Sequence, residues 1–383
     1  MIEAILSREN LLTALKRFES NKGSHGVDKI PVQNLRQQIY EHWHTIKEEL
    51  VNGTYNPNLV RRVEIPKSDG GKRLLGIPTV VDRFIQQAIA QALTRVFDPE
   101  FSEFSYGFRP NKRGHDAVRQ AKAYIKDGHR WVIDVDLEKF FDTVNHDKVM
   151  GILAKKIEDK TVLKLIYKYL KAGVMVNGVA TRSKIGTPQG GPLSPILANI
   201  LLNELDKELE FRGHKFVRYA DDFQIYVKSR KAGQRVMTSV TTFLEKTLKL
   251  KVNKEKSAVD RPWKRKFLGF SFTIEKQTRT RIHKESIKRL KAKVRKLTSR
   301  KSPIPMELRI ERLNKYLNGW LGYYALADTK SVFKDLDKWI RRRLRMCKWK
   351  EWKVPKSRVR NLKALGVHPS KAYEWGNSRK GYW

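Results

Sequence analysis

Two adjacent carboxylates, Asp221 and Asp222, interrupt an apolar and aromatic run, VRYADDFQIYVK at 217–228. Like charges side by side in such a setting repel each other unless a dication lies between them. A second segment, RWVIDVDL at 130–137, alternates with period two: Trp131, Ile133, Val135 and Leu137 fall on one face, Val132, Asp134 and Asp136 on the other. Carboxylates from two neighbouring strands are hard oxygen ligands of the kind Mg²⁺ takes, together with waters and substrate phosphates. Two such ions about 4 Å apart activate an attacking hydroxyl and stabilise the leaving oxygen of an in-line phosphoryl displacement. Spacing alone nominates Asp134 and Asp136 equally. The plainer reading of the doublet is a hairpin tip, because Asp tolerates turn conformations.

A site that handles nucleotides needs cations and closely approaching backbone. IPKSDGGKRLLGIP at 65–78 carries Lys67 and Arg73 on the two arms of a hairpin signalled by Ser68-Asp69-Gly70-Gly71, suited to grip a triphosphate. TPQGGPLSP at 187–195 supplies Gly190 and Gly191 just before a helix start, with Ser194 read as N-cap and Pro195 as first helical residue. The plain alternatives are an ordinary basic hairpin and helix punctuation.

The elements that position these residues are legible as periodic patterns. Residues 2–52 read as helical, VRRVEIPK and KRLLGIP as a strand pair, and 80–97 as a helix closed by Asp98-Pro99. Helices follow near 146–172, a hairpin near 173–183, the VRYADDFQIYV hairpin, a helix near 232–250, and the strands KRKFLGFSFTI and RTRIH. From His283 the character changes to three basic helical patterns at about 284–300, 306–325 and 331–350, which places a boundary near 280.

Composition points the same way. The chain has 383 residues, 40% of them hydrophobic, enough for a real core in two or three domains. Eighty Lys and Arg against 40 Asp and Glu give a net charge of +40, which calls for a polyanionic partner, most commonly nucleic acid. Arg261 to Trp383 holds 36 Lys and Arg and nine Asp and Glu, a surplus of 27. Within DLDKWIRRRLRMCKWKEWK at 335–353, eight cations interleave with Trp339, Trp349 and Trp352, a pattern that pairs phosphate neutralisation with base stacking, although Trp339 reads better as helix core. The single cysteine, Cys347, excludes an internal disulfide and a cysteine zinc site and fits a reducing compartment. The absence of a long apolar run or a leader-like N-terminus makes a bacterial cytoplasmic location the expectation, with no membrane and no obligate protein partner.

The blocks YADD, IDVDLEKFFD, TPQGGPLSPILANILLNELD, IPKSDGGKRLLGIP, SYGFRP (105–110), LKVNKEKS (250–257) and FLGFSF (267–272) resemble those of reverse transcriptases. More narrowly, the chain resembles a bacterial group II intron reverse transcriptase and maturase: HGVDKIPVQNL is similar to that family's N-terminal extension block, and GWLGYY with the basic helices to its thumb, or maturase, domain. Ending at Trp383 with one cysteine, it resembles the short, class C-like lineage without an endonuclease domain. The resemblance implies an α+β right-hand polymerase fold: an N-terminal extension and fingers over 1–60, fingers and palm with a small antiparallel sheet over 61–282, and a helical thumb over 283–383. It implies RNA-directed DNA synthesis with two Mg²⁺ ions, Mn²⁺ as a substitute, from an RNA template, a DNA or RNA primer and dNTPs, and binding of group II intron RNA to assist splicing and mobility. A domesticated relative in DNA repair or defence, and a splicing-only maturase, are the alternatives.

By matching positions, the resemblance selects Asp136 with Asp221 and Asp222 as metal ligands, adds the backbone carbonyl of Leu137, and leaves Asp134 structural. Phe141 matches the residue that excludes a ribose 2′-hydroxyl. Lys67 and Arg73 match triphosphate contacts, Gln189, Gly190 and Gly191 line the nucleotide and template, and Lys256 matches a lysine that protonates pyrophosphate, against a solvated loop as the plain reading. Phe267, Leu268 and Gly269 match a primer grip, and Arg109 a fingers residue near the template.

Overall fold

The computed structural model describes residues 1–21, 23–66, 71–172, 174–176, 179–181, 190–275 and 277–380, with the side chains of 72, 73, 174–176 and 179–181 left aside. The chain divides into two compact units, Met1–Arg261 and Pro262–Trp383. The division falls some way before the change of character near 280, because the FLGFSF and RTRIH strands group with the helices that follow them.

Among the described residues the strands, in chain order, are β1 (Val60–Pro66), β2 (Lys72–Ile77), β3 (Trp131–Val135), β4 (Val174–Val176), β5 (Val179–Thr181), β6 (Lys215–Tyr219), β7 (Asp222–Val227), β8 (Ala258–Asp260), β9 (Phe270–Phe272) and β10 (Thr280–Ile282). In the first unit, β1 and β2 form the expected antiparallel pair, and β1 also pairs in parallel with β4, giving a mixed sheet ordered β2-β1-β4-β5. The second sheet, β6-β7-β3-β8, is antiparallel throughout. The residues 2–52, read as helical, form helices at Ile2–Leu6, Arg8–Ser20 and Leu35–Val51.

The β6-β7-β3-β8 sheet is covered on both faces, which explains why β7 is buried from Phe223 to Val227 instead of alternating. On one face the helix Arg230–Thr242 comes so near at Gly233 that an added Cβ would stand 2.5 Å from Val259 Cγ1. On the other, Tyr124 of the helix Gly114–Lys126 meets the Tyr226 ring at 5.8 Å. Two further helices, Val80–Phe97 and Ser194–Phe211, are apolar around most of their circumference and form the centre of the core. The second of these starts one residue earlier than the sequence suggests. Leu193 occupies the cap, Ser194 is already helical, and proline stands in the first turn, where a missing N–H costs nothing.

The second unit packs the helices Lys284–Leu297, Met306–Tyr324 and Lys330–Glu351 around Leu290, Val294, Leu313 and Leu336. Arg309, 2% exposed, donates to the carbonyls of Leu297, Ser299 and Ser302 at 3.0, 2.9 and 3.1 Å. A cation thus satisfies the Leu297 carbonyl that the first helix leaves orphaned at its C-terminus and two carbonyls of the connection that follows. Trp339 packs against this core, with Lys291 and Arg295 over its ring. Two more helices, Pro355–Ala364 and Pro369–Asn377, carry no strong periodic signal and pack closely where Gly376 meets Val359.

Candidate active site

The strands β6 and β7 form a hairpin closed by two residues, with Tyr219 paired to Asp222 across Ala220-Asp221. Two-residue hairpin turns require left-handed backbone, and Ala220 supplies it at φ +57° while 4% exposed. The tip therefore carries Asp221, and Asp222 opens β7; both are half-buried. On the other side of β7, β3 pairs Val135 with Phe223 and Asp134 with Gln224. Continuing that register by one residue sets Asp136 opposite Asp222. Side chains so placed have Cβ atoms about 5 Å apart, within reach of one ion.

Asp136 is exposed, and both its N–H and its carbonyl are held by one loop. Its N–H donates to Ser257 Oγ at 3.0 Å, and its carbonyl accepts from the Asn253 N–H at 2.8 Å. The NKEKS loop therefore runs beside the carboxylate, which places Lys256, exposed and adjacent to Ser257, in the immediate neighbourhood. Leu137 bridges to Val252 and buries its side chain, leaving its backbone carbonyl as the group it can offer a cation. Asp134 lies one step along the same face as Asp136. Its Oδ1 accepts from Gln224 Nε2 at 3.2 Å, and Gln224 Oε1 accepts from the Tyr226 hydroxyl at 2.8 Å. Burial, then the charges of Asp134 and Asp222, pushes the Tyr226 phenol well above its ordinary range, so this hydroxyl is a donor at any working pH.

Phe141 follows in the short helix Phe140–Thr143, 9% exposed and braced edge-on by Phe140 at 5.1 Å. Lys67 and Gln189 lie outside the described residues, and Arg73 is described only as a β2 backbone position opposite Ile65. Gly190 has φ +128°, and a Cβ there would stand 2.8 Å from the Gly76 carbonyl; one on Gly191 would meet Gln86 Oε1 at 2.3 Å. The two glycines thus let their loop lie against β2 and the helix Val80–Phe97. Arg109 is turned into its own loop: its guanidinium pairs with Asp98 at 2.7 Å and donates to the carbonyls of Asp98, Ser102 and Ser105. A contact with a template would require those bonds to break.

In the second unit, Phe267 and Phe270 exchange backbone bonds at 3.0 and 2.9 Å around Leu268 and Gly269, both left-handed at φ +48° and +84°. This tight turn sits on the GWLGYY helix. The Leu268 carbonyl accepts from the Tyr323 hydroxyl at 2.8 Å, and a Cβ on Gly269 would stand 2.5 Å from the Tyr324 hydroxyl.

Among the described residues no three His, Cys, Asp or Glu side chains converge as a ready-made metal cage. The donors at the β3-β7 edge are nevertheless hard oxygens, open on the Asp136 side, and that fits an ion completed by waters and substrate phosphates. Sequence reasoning missed Asn199, Asp206, Arg218 and Ser257, which surround the site from behind. A signal for the first two existed: Asn199, Asn203 and Asp206 recur at helical spacing on one face of a largely apolar run.

The reverse transcriptase (RNA-dependent DNA polymerase) family model matches residues 65–272, more than half of the chain. The chain belongs to the reverse transcriptase family, a class of polymerases that generally uses divalent metal ions. Its second part, residues 287–366, matches the group II intron maturase-specific domain, which makes it a reverse transcriptase of the group II intron type. Such a domain implies intron RNA as a partner, and the polymerase class implies template and primer. Protein YkfC of Escherichia coli K12 is 33% identical over 299 residues, which cover 68% of this chain and 78% of that protein. Group II intron-encoded protein LtrA of Lactococcus lactis subsp. cremoris is 32% identical over 297 residues, covering 60% of this chain and 49% of its own. The chain thus spans about half the length of that second relative. No helix among the described residues is long and apolar enough to cross a membrane.

Proposed function

We propose that this chain copies RNA into DNA from a primer 3′ end, and that it binds group II intron RNA to assist splicing and mobility. The observation that carries the polymerase reading is the register of β3 on β7, which sets Asp136 opposite Asp222 with Asp221 at the adjoining tip. Two Mg²⁺ ions, or Mn²⁺ in their place, would supply activation of the primer hydroxyl and charge neutralisation on the departing pyrophosphate.

The chain's own residues do the remainder. Asp136, Asp221 and Asp222 hold the ions, with the Leu137 carbonyl as an added ligand. Lys67 and Arg73 grip the triphosphate, while Gln189, Gly190 and Gly191 line the nucleotide and template. Lys256, on the loop that holds the Asp136 backbone, donates the proton that leaves with pyrophosphate. Phe267, Leu268 and Gly269 steady the primer end, and Arg109 organises the loop near the template. The basic helices from Lys284 onward grip RNA, so log affinity should fall linearly with log salt. One cysteine and so much positive charge suit a reducing compartment with abundant RNA, the bacterial cytoplasm.

The direct test is extension of a DNA primer on an RNA template with dNTPs. Synthesis that requires Mg²⁺ and copies the template supports the reading; a chain that binds RNA but incorporates nothing contradicts it. A narrower expectation concerns Phe141, whose buried, braced ring has little freedom to yield to a 2′-hydroxyl. Phe141→Ala should relax discrimination against rNTPs by about 10–100-fold, the range that a steric pocket supplies. Competition between dNTP and rNTP in single-nucleotide extension measures it, and unchanged selectivity would remove Phe141 from that role.

A further inference from the structure

Three separated sequence blocks meet at one side chain that touches no solvent, Arg218 in β6. Arg218 and its partner Asp206, from the helix Ser194–Phe211, are each 0% exposed. The guanidinium Nε donates to Asp206 Oδ1 and Oδ2 at 2.8 and 3.0 Å, and Nη1 donates to Asn199 Oδ1 at 2.9 Å. The same Nη1 donates to the carbonyl of Ala220 at 3.1 Å. Asn199 in turn sends its amide to the Gly107 carbonyl at 2.8 Å. Gly107 lies so close to the hairpin tip that a Cβ there would stand 2.3 Å from the Ala220 nitrogen. The N–H and carbonyl of Arg218 are themselves fastened to one segment, to the Phe104 carbonyl at 2.9 Å and the Tyr106 N–H at 2.8 Å.

A buried ion pair is a weak device for stability, since apolar residues of similar volume often serve the fold as well or better. The location of this one is informative. It grips the carbonyl of Ala220, a non-glycine residue held at φ +57°, and such a conformation persists only where the surroundings over-determine it. Ala220 directly precedes Asp221 and Asp222. The guanidinium, the Asn199 amide bond and the Gly107 backbone together leave the turn one arrangement.

We propose that Arg218, clamped by Asp206 and Asn199, is a positioning residue that fixes the left-handed turn at Ala220 and thereby sets Asp221 and Asp222 at the spacing that the metal–nucleotide complex requires. The inference rests on the reading of those two aspartates as metal ligands. Arg218 reaches neither metal nor substrate; it acts through the turn, in the way that hydrogen-bonded residues behind a metal ligand tune affinity.

The test uses the full chain bound to an RNA template, a primer ending in a 3′-deoxynucleotide and a dNTP. Mn²⁺ binding is followed by electron paramagnetic resonance, with the triple variant Asp136→Asn, Asp221→Asn and Asp222→Asn as the reference for ions held by the nucleic acid and nucleotide alone. The first variant, Arg218→Met with Asp206→Leu, removes both buried charges together; the second, Asn199→Ala, loosens the clamp while leaving the ion pair in place. Both should stay folded at the assay temperature and keep the wild-type template–primer affinity yet bind Mn²⁺ about tenfold more weakly. A folded variant of either kind with wild-type Mn²⁺ affinity overturns the proposal. Failure of both variants to fold overturns it as well, because the network would then serve the fold. Failure of the underlying reading looks different: the wild type would bind no more Mn²⁺ than the triple variant.

Discussion

The Asp222→Asn protein is expected to lose primer extension on an RNA template by on the order of 10³-fold while binding RNA as tightly as the wild type. Asn keeps the size and one oxygen of the side chain but removes the charge, so the hairpin has no steric reason to change. The position opens β7 at the half-buried edge of the sheet, and the carboxylate opposite, Asp136, would be left to hold an ion without its cross-strand partner. The proposed reading assigns RNA affinity elsewhere, to the basic surface that gives residues 261–383 a surplus of 27 positive charges. Extension under single-turnover conditions and filter binding at several salt concentrations separate the two effects. Parallel loss of both would mean that Asp222 matters to the fold and not to the chemistry.

Breaking the Asp206–Arg218 pair from one side should strongly destabilise the first unit. Asp206→Leu leaves a guanidinium with no solvent exposure and no counter-charge, a situation that costs about 3–5 kcal/mol. Changing Arg218→Met as well removes the stranded charge and should recover most of that loss. Urea denaturation of the single and double variants reads the difference directly. A single variant as stable as the wild type would show that water or a rearranged neighbour reaches Arg218, and the rigidity assigned to the turn would fail with it.

Much of this organisation can be read from the amino-acid order, for identifiable reasons. The hairpin at YADD, the strand at WVIDV and the helix from Val80 to Phe97 have strong local patterns and short-range closure, and they form where the periodicity sets them. The choice of Asp136 over Asp134 was beyond spacing, since the two share a face and differ only in where the strand ends. In the structure, β3 stops at Val135, so Asp134 stays paired and bonded to Gln224 whereas Asp136 emerges at the edge. The strand β8 was illegible because it is three residues long and is defined by its pairing to β3 across more than 100 residues of chain. For Arg109 a position was legible but not its bonds. A lone arginine in a loop offers no sequence clue that its guanidinium will be spent on the carbonyls of Asp98, Ser102 and Ser105. The clamp on Ala220 joins a loop, a helix and a strand, and no local window contains it.

The measurement closest to the central claim is a crystal structure of the chain with an RNA template, a 3′-deoxy-terminated primer, the matching dNTP and Mg²⁺. The predicted result is two ions about 4 Å apart at the β3-β7 edge, held by the carboxylates of Asp136 and the Asp221-Asp222 tip and bridged by the triphosphate. A triphosphate seated away from that edge, or ions that leave Asp136 without a metal contact, would contradict it.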